Sequence, residues 1–305
     1  LKPPDYSAPH IMYSGIWLPI ITPFRNGKVD IDALQYLADT YLRTEISGFV
    51  ALGTTGEAAL LSLSERISVL HALFDVVGEQ LPVLVGAGAP DTREVLREIV
   101  LYERWNCTGY LVSPPSYVCP DQAGVQWHFE QVAQATQRSI VLYDVPHRTG
   151  VTIAPDTVKA LLAHENIVAI KECVPSRFCE LGGQPISLLC GNDDAFVDCL
   201  SAGGAGGILA SAHVCADLLV DVLSLMNADR EADAKTLFSR LSPILRLLFS
   251  APNPAAIKAM LALDHPISAE TRMPIAPASA ELVGRLRDAR ETLQALRADC
   301  ENAVI

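Results

Sequence analysis

Between residues 16 and 229 short apolar runs alternate with longer amphipathic ones, and this alternation narrows the available folds more than any other feature. The strand-like runs are Ile16–Ile21, Gly48–Leu52, Pro82–Gly86, Tyr110–Ser113, Ile140–Tyr143, Ile167–Lys171, Ile186–Cys190 and Gly207–Ala210. Their apolarity is continuous, as strands buried on both faces require; a half-exposed strand alternates instead. Helical patterns separate them at Ile31–Thr44, Ser64–Val77, Asp91–Arg104, Ala123–Thr136, Pro155–Ala163, Asp193–Ala202 and Ala216–Met226, with a shorter, less regular helix near Cys173–Gly182. Asp91–Thr92 with Glu94 in the following turn reads as a helix start. Eight strand–helix repeats predict an α/β fold, an eight-stranded (TIM) α/β barrel, which typically takes about 250 residues. An open doubly wound sheet would carry GxGxxG after its first strand. This chain instead continues from Ile21 with Thr22–Pro23–Phe24–Arg25–Asn26–Gly27.

From Glu231 the strand pattern stops, and helical stretches at Glu231–Phe249, Pro254–Leu263 and Ala278–Cys300 predict a C-terminal helical appendix. The expected organisation is an N-terminal extension over 1–14, a barrel over 15–229 and a helical region over 230–305 packed on the barrel. Residues 1–12 hold three prolines and no hydrophobic signal core, so they read as a loose extension rather than a secretory leader.

Composition removes several classes of function. A net charge of -12 gives little to neutralise phosphates, so nucleic acid is not an expected partner. No apolar run reaches the roughly 18 residues of a membrane span. Eight cysteines without a CxxC pair suit neither a zinc site nor a disulfide scaffold, and point to a reducing cytoplasm. Seven histidines without an HxxxH spacing indicate no metal.

Lys171 is the most informative residue. It is one of six lysines, and it alone ends an apolar strand-like run, where a barrel strand opens onto the catalytic face. A partly desolvated amine there can act as a nucleophile toward carbonyls; the plain alternative is an ion pair with Glu172. Tyr143 ends the preceding strand-like run, so both side chains are expected at the same rim. A phenol there can shuttle protons if hydroxyls link it onward. Gly53–Thr54–Thr55–Gly56–Glu57 ends the second strand, and its backbone N–H groups can converge on a carboxylate while its threonines supply hydroxyls. Arg148 can clamp a second carboxylate bidentately, and its neighbour His147 reads as a loop residue. The glycines of Gly203–Gly207 permit close backbone approach, at the barrel mouth or in simple helix–strand packing.

Together GTTGE at Gly53–Glu57, YDVPHRTG at Tyr143–Gly150 and IKE at Ile170–Glu172 resemble the dihydrodipicolinate synthase/N-acetylneuraminate lyase family, in order and spacing. LPIITPF at Leu18–Phe24, GNDD at Gly191–Asp194, GGAGG at Gly203–Gly207 and APNPAAIK at Ala251–Lys258 support the match, which runs from Gly15 to about Arg287. The resemblance implies that Lys171 forms a Schiff base with pyruvate, that Tyr143 is the proton donor and acceptor, and that Thr54 is a relay hydroxyl. It implies pyruvate contacts from Thr55 and Ile208, and an aldehyde carboxylate held by Arg148. The implied reaction condenses pyruvate with aspartate 4-semialdehyde in lysine biosynthesis, with no cofactor or metal, in a homotetramer or homodimer. A sugar-acid or N-acetylneuraminate lyase, a hydratase-aldolase and a non-catalytic keto-acid-binding barrel are the competing readings. The chain departs from the synthase pattern after the fourth strand, where a Tyr-Tyr pair is usual. Here Ser113–Pro114–Pro115–Ser116–Tyr117 puts Ser116 or Tyr117 in its place. Ala58, Leu63, Arg66 and Pro90 are poor ligands at the positions that bind lysine in regulated synthases.

Overall fold

All eight predicted apolar runs pair in parallel and close in chain order. In the computed structural model, which describes residues 13–303, the barrel strands are β1 (Gly15–Leu18), β2 (Gly48–Ala51), β3 (Val83–Ala87), β4 (Gly109–Val112), β5 (Ser139–Asp144), β6 (Ile167–Glu172), β7 (Ser187–Cys190) and β8 (Gly206–Ile208). Each strand pairs with the next, and β8 closes on β1. Most of the expected extension, residues 1–12, lies outside the described residues.

The continuous apolarity has a direct cause. One residue from each strand (Trp17, Val50, Leu84, Leu111, Val141, Ala169, Leu189 and Ile208) packs in the barrel interior, with Tyr13 stacked near Trp17 at a centroid distance of 5.3 Å. Their strand neighbours, such as Ile16, Phe49, Val83 and Tyr110, face the surrounding helices in a separate core. Each strand is therefore dry on both faces. At roughly 1.5–3 kcal/mol per buried aliphatic or aromatic side chain, these two layers dominate the driving force for folding.

Helices α1 (Ile31–Tyr41), α2 (Leu63–Val77), α3 (Thr92–Tyr102) and α4 (Gln122–Ala135) start at side-chain caps on Asp30, Ser62, Asp91 and Asp121. Ser62 and Glu65 form a reciprocal capping box, and the expected start at Asp91–Thr92 holds. Next come α5 (Pro155–Leu161), α6 (Phe178–Leu181) behind a 3-10 turn at Pro175–Arg177, α7 (Phe196–Ser201) and α8 (Ala212–Asn227). Helix α8 begins earlier than the Ala216 expected, through a kink where Cys215 is non-helical. Strand β1 stops at Leu18 instead of Ile21, because Pro19 has no N–H to continue the ladder. A two-residue hairpin, Phe24–Arg25 with Lys28–Val29, was not expected from the sequence.

After β8 and α8 the chain continues in helices α9 (Glu231–Leu248), α10 (Ala255–Leu261) and α11 (Ala280–Ala303). These pack on α8, where Arg297 of α11 holds Asp217 at 2.5 Å and donates to the Val214 carbonyl at 2.8 Å. Among the described residues no helix is long and apolar enough to cross a membrane.

Candidate active site

Parallel pairing of β5 with β6 sets Tyr143 directly beside Lys171 at the C-terminal rim. Lys171 is only 7% exposed, and its Nζ lies 4.4 Å from the centroid of the Tyr143 ring, a cation–π distance. The plain alternative, an ion pair with Glu172, does not form. Successive strand residues point to opposite faces. Glu172 turns outward, accepts from the Val174 N–H at 2.7 Å and faces Arg177 at 3.5 Å.

The loop after β2 brings Thr54 and Thr55 over the same mouth. Its turn is closed by Gly56 N–H donating to the Gly53 carbonyl at 3.1 Å, and Thr22 Oγ1 donates to the Gly56 carbonyl at 2.7 Å. A Cβ on Gly56 would stand 3.1 Å from the Ile20 carbonyl oxygen, so the loop sits tightly on the segment that follows β1. Glu57 adopts φ 53°, an unusual conformation for a non-glycine residue. Its side chain anchors the loop: Lys258 Nζ of α10 donates to Oε1 at 2.5 Å, and Arg272 N–H donates to Oε2 at 2.9 Å. Both charged side chains are fully buried, and Lys258 also lies 4.2 Å from the Phe24 ring centroid.

Lys171, Tyr143, Thr54, Thr55, Arg148 and Ile208 all line one cavity of about 500 Å³. Ile208 is its floor, since it also belongs to the interior layer. Arg148 and His147 stand on a one-turn helix, Pro146–Thr149, where a loop was expected. Burial and the Arg148 charge push the His147 imidazole down from its ordinary value. The cavity also takes in residues to which the sequence reading gave no role: Cys173, Asn192, Asp193 and Asn253. Asn253 Nδ2 donates to Thr55 Oγ1 at 3.0 Å, so the segment before α10 touches the loop after β2 directly. Asp193 is 4% exposed and accepts from Ser211, by its N–H at 2.7 Å and its hydroxyl at 2.5 Å. The GNDD and APNPAAIK matches marked these segments without saying what they touch.

A second chamber of about 380 Å³ shares Thr54, Tyr143, Arg148 and Asn253 with the first. Ser116 lines it, whereas Tyr117, at φ 71°, is 91% exposed and points away from its own chain. Arg66 is already engaged: it pairs with Glu98, and its Nε donates to the Ala58 carbonyl at 3.2 Å. The run Gly203–Gly207 enters β8 at the end opposite the mouth, where a Cβ on Gly206 would lie 2.1 Å from the Gly15 carbonyl oxygen. Of its two readings, close packing is the one realised. Among the described residues no cluster of three or more His, Cys, Asp or Glu side chains is placed to hold a metal ion.

A TIM barrel with a buried lysine at the end of its sixth strand, a tyrosine beside it and a hydroxyl-bearing turn above it has the architecture of a class I lyase. The chain belongs to the Dihydrodipicolinate synthetase family, whose sequence profile matches residues 12–293. It is 35% identical over 279 residues to 4-hydroxy-tetrahydrodipicolinate synthase 2 of Clostridium acetobutylicum, covering 89% of this chain and 97% of that one. Its fold is similar to the 4-hydroxy-tetrahydrodipicolinate synthase of Methylacidiphilum fumariolicum SolV, with a TM-score of 0.90, 31% identity and coverage of 95% and 98% of the two chains. A structure described as the first monomeric dihydrodipicolinate synthase variant gives a TM-score of 0.90 at 30% identity, over 93% and 97% of the two chains.

Proposed function

We propose that this protein is a pyruvate-dependent Schiff-base lyase that condenses pyruvate with aspartate 4-semialdehyde, as the names of its relatives suggest. The observation that carries the reading is the side-by-side placement of Lys171 and Tyr143 in a cavity that Thr54, Thr55 and Arg148 also line. The unprotonated Lys171 amine attacks C2 of pyruvate to give a carbinolamine. Loss of water, with a proton supplied through Tyr143, leaves the iminium. Removal of a C3 proton gives the enamine, whose C3 attacks the aldehyde carbon while the new alkoxide takes up a proton. Hydrolysis of the iminium, or attack by the aldehyde substrate's own amine, returns Lys171 free. Tyr143 and Thr54 carry protons, the Thr54–Thr55 turn and Ile208 hold pyruvate, and Arg148 holds the carboxylate of the aldehyde substrate. A homodimer or homotetramer fits the outward-pointing Tyr117, which can meet a Tyr143 only in a second copy of the chain. A cytoplasmic location fits eight cysteines that are all unpaired.

Borohydride reduction in the presence of pyruvate tests the nucleophile. One pyruvate-derived mass on Lys171 is expected, and Lys171→Ala is expected to lose most turnover. Labelling at another lysine, or none in active protein, refutes the mechanism. Offering a panel of aldehydes with pyruvate then tests the acceptor. Preference for a sugar aldehyde over aspartate 4-semialdehyde would reassign the substrate while leaving the Schiff base intact.

A further inference from the structure

Behind the rim, on the face of β5 and β6 turned away from the cavity, two carboxylates lie side by side. Asp144 and Glu172 each follow a rim residue, Tyr143 and Lys171, are register partners, and are both 0% exposed. Among the described residues a single cation serves them. Arg177, from the turn after β6, pairs through Nη1 with Asp144 Oδ2 and lies 3.5 Å from Glu172 Oε2. Thr152 Oγ1 and Ile153 N–H also donate to Asp144 Oδ2, at 2.7 and 3.1 Å, and Val174 N–H donates to Glu172 Oε1 at 2.7 Å. This leaves Asp144 Oδ1 and Glu172 Oε2, both buried and both without a hydrogen-bond donor.

The charges do not balance if both acids are ionised. Two negative groups would face one guanidinium, which also lies 4.0 Å from the half-exposed Glu180 of α6. The other nearby groups do not compensate. Lys171 points into the cavity on the opposite face, and burial pushes the Cys173 thiol up to about 12, so it stays neutral. An uncompensated charge in so dry a place is relieved by taking up a proton, and two unpartnered acceptor oxygens on register-paired residues give that proton a donor and an acceptor at once.

We infer that Asp144 and Glu172 hold one proton between them, and that this proton ties together the strand ends carrying Tyr143 and Lys171. Burial first and the Asp144 carboxylate second push Glu172 up to about 7, which makes it the member that carries the proton below that pH. Asp144, Glu172 and Arg177 are positioning residues: none lines the cavity, and they act through the register that sets amine beside phenol. Their effect on turnover rests on the chemistry proposed above, whereas the shared proton does not.

Infrared difference spectra of the intact protein in H₂O and D₂O test the proton without substrate. A protonated-carboxyl stretch is expected below pH 7, lost above it, and missing from Glu172→Gln. Between the ordinary value of 4.5 and about 7 the folded chain holds a proton on Glu172 that the unfolded chain releases, so the contribution of this group to stability falls as pH rises through that window. In Glu172→Gln that contribution is expected to be lost, so stability should rise more steeply with pH across the window than in the wild type, because the amide N–H replaces the proton permanently. Condensation is expected to drop by up to about 10²-fold in Glu172→Ala, the scale of a misplacement of about 1 Å, and to recover in Glu172→Gln. Identical spectra or identical stability slopes in the wild type and Glu172→Gln would overturn the inference. If Glu172→Gln does not fold, Asp144→Asn decides. Burial still acts on Glu172 there but the Asp144 charge is gone, so the stretch is expected to disappear at a lower pH than in the wild type, and an unchanged midpoint shows the proton is not shared. Loss of pyruvate trapping with the stretch intact refutes the proposed reaction and not the proton.

Discussion

Replacing Lys258 by Met is expected to be one of the most damaging single changes outside the cavity. Lys258 and Glu57 are both 0% exposed, with Nζ and Oε1 at 2.5 Å. Methionine fills much the same volume but removes the positive charge, the bond to Glu57 and the bond to the Glu270 carbonyl. Glu57 then keeps only the Arg272 N–H, at 2.9 Å. Orphaning one member of a buried ion pair costs about 3–5 kcal/mol, most of it the penalty on the charge left behind. With an unfolding entropy of about 2.1 cal/mol/K per residue, a chain of this length loses roughly 5–8 °C of Tm for that cost. Because Glu57 closes the Thr54–Thr55 turn, the KM for pyruvate is expected to rise more than kcat falls. Thermal denaturation and steady-state kinetics on Lys258→Met, Glu57→Met and the double variant form the assay. The double variant should recover most of the lost stability, since no charge remains buried. A Lys258→Met protein within about 1 kcal/mol of the wild type would refute the reasoning, as a pair that water can reach is worth only that much.

Three further outcomes are expected. Tyr117→Phe should lower turnover by about 10²-fold or more if a second chain's tyrosine completes the relay, while Ser116→Ala does little; a nearly silent Tyr117→Phe with the Schiff base still forming would reject that role. Free lysine should not inhibit at submillimolar concentration, because Arg66 is committed to Glu98 and the Ala58 carbonyl; a saturable lysine isotherm would contradict this. Burial holds His128 and His213 down at about 4, against 6.5 in the unfolded chain. The unfolded chain therefore takes up protons first at these two groups, and their contribution to stability should fall as pH drops from 6.5 toward 4, opposite in sign to that of Glu172. His128→Asn should flatten part of that slope in denaturant titrations.

Lys171 and Tyr143 were legible from sequence because β strands make rim position a matter of counting: each ends an apolar run, and consecutive parallel strands bring their ends together. Thr54 and Thr55 were legible for the same reason, as the turn after a strand. Asn253, Lys258 and Arg177 were not. Their roles depend on contacts with residues far off in the chain, and no local periodicity marks which loop a C-terminal helix will touch. Lys258 in particular looks in sequence like any lysine on a short helix, and only its complete burial against Glu57 distinguishes it. The hairpin after β1 leaves no mark in the sequence because two residues per strand are too few to show a pattern. The glycines before β8 pointed to close approach, but the end of the barrel at which it occurs is decided by where β8 begins.

The Glu57–Lys258 contact also orders events during synthesis. The two residues are 201 positions apart, so at about 5–20 residues per second a ribosome makes the lysine roughly 10–40 s after the glutamate. Through that interval every barrel strand can be finished while the Thr54–Thr55 turn still lacks its buried counter-charge and its contact from Asn253. The nascent chain thus acquires Lys171 well before the Thr54–Thr55 turn above it is anchored. Competence arrives with the helices that follow the barrel, and a chain released before α10 would carry Lys171 in a site it cannot close.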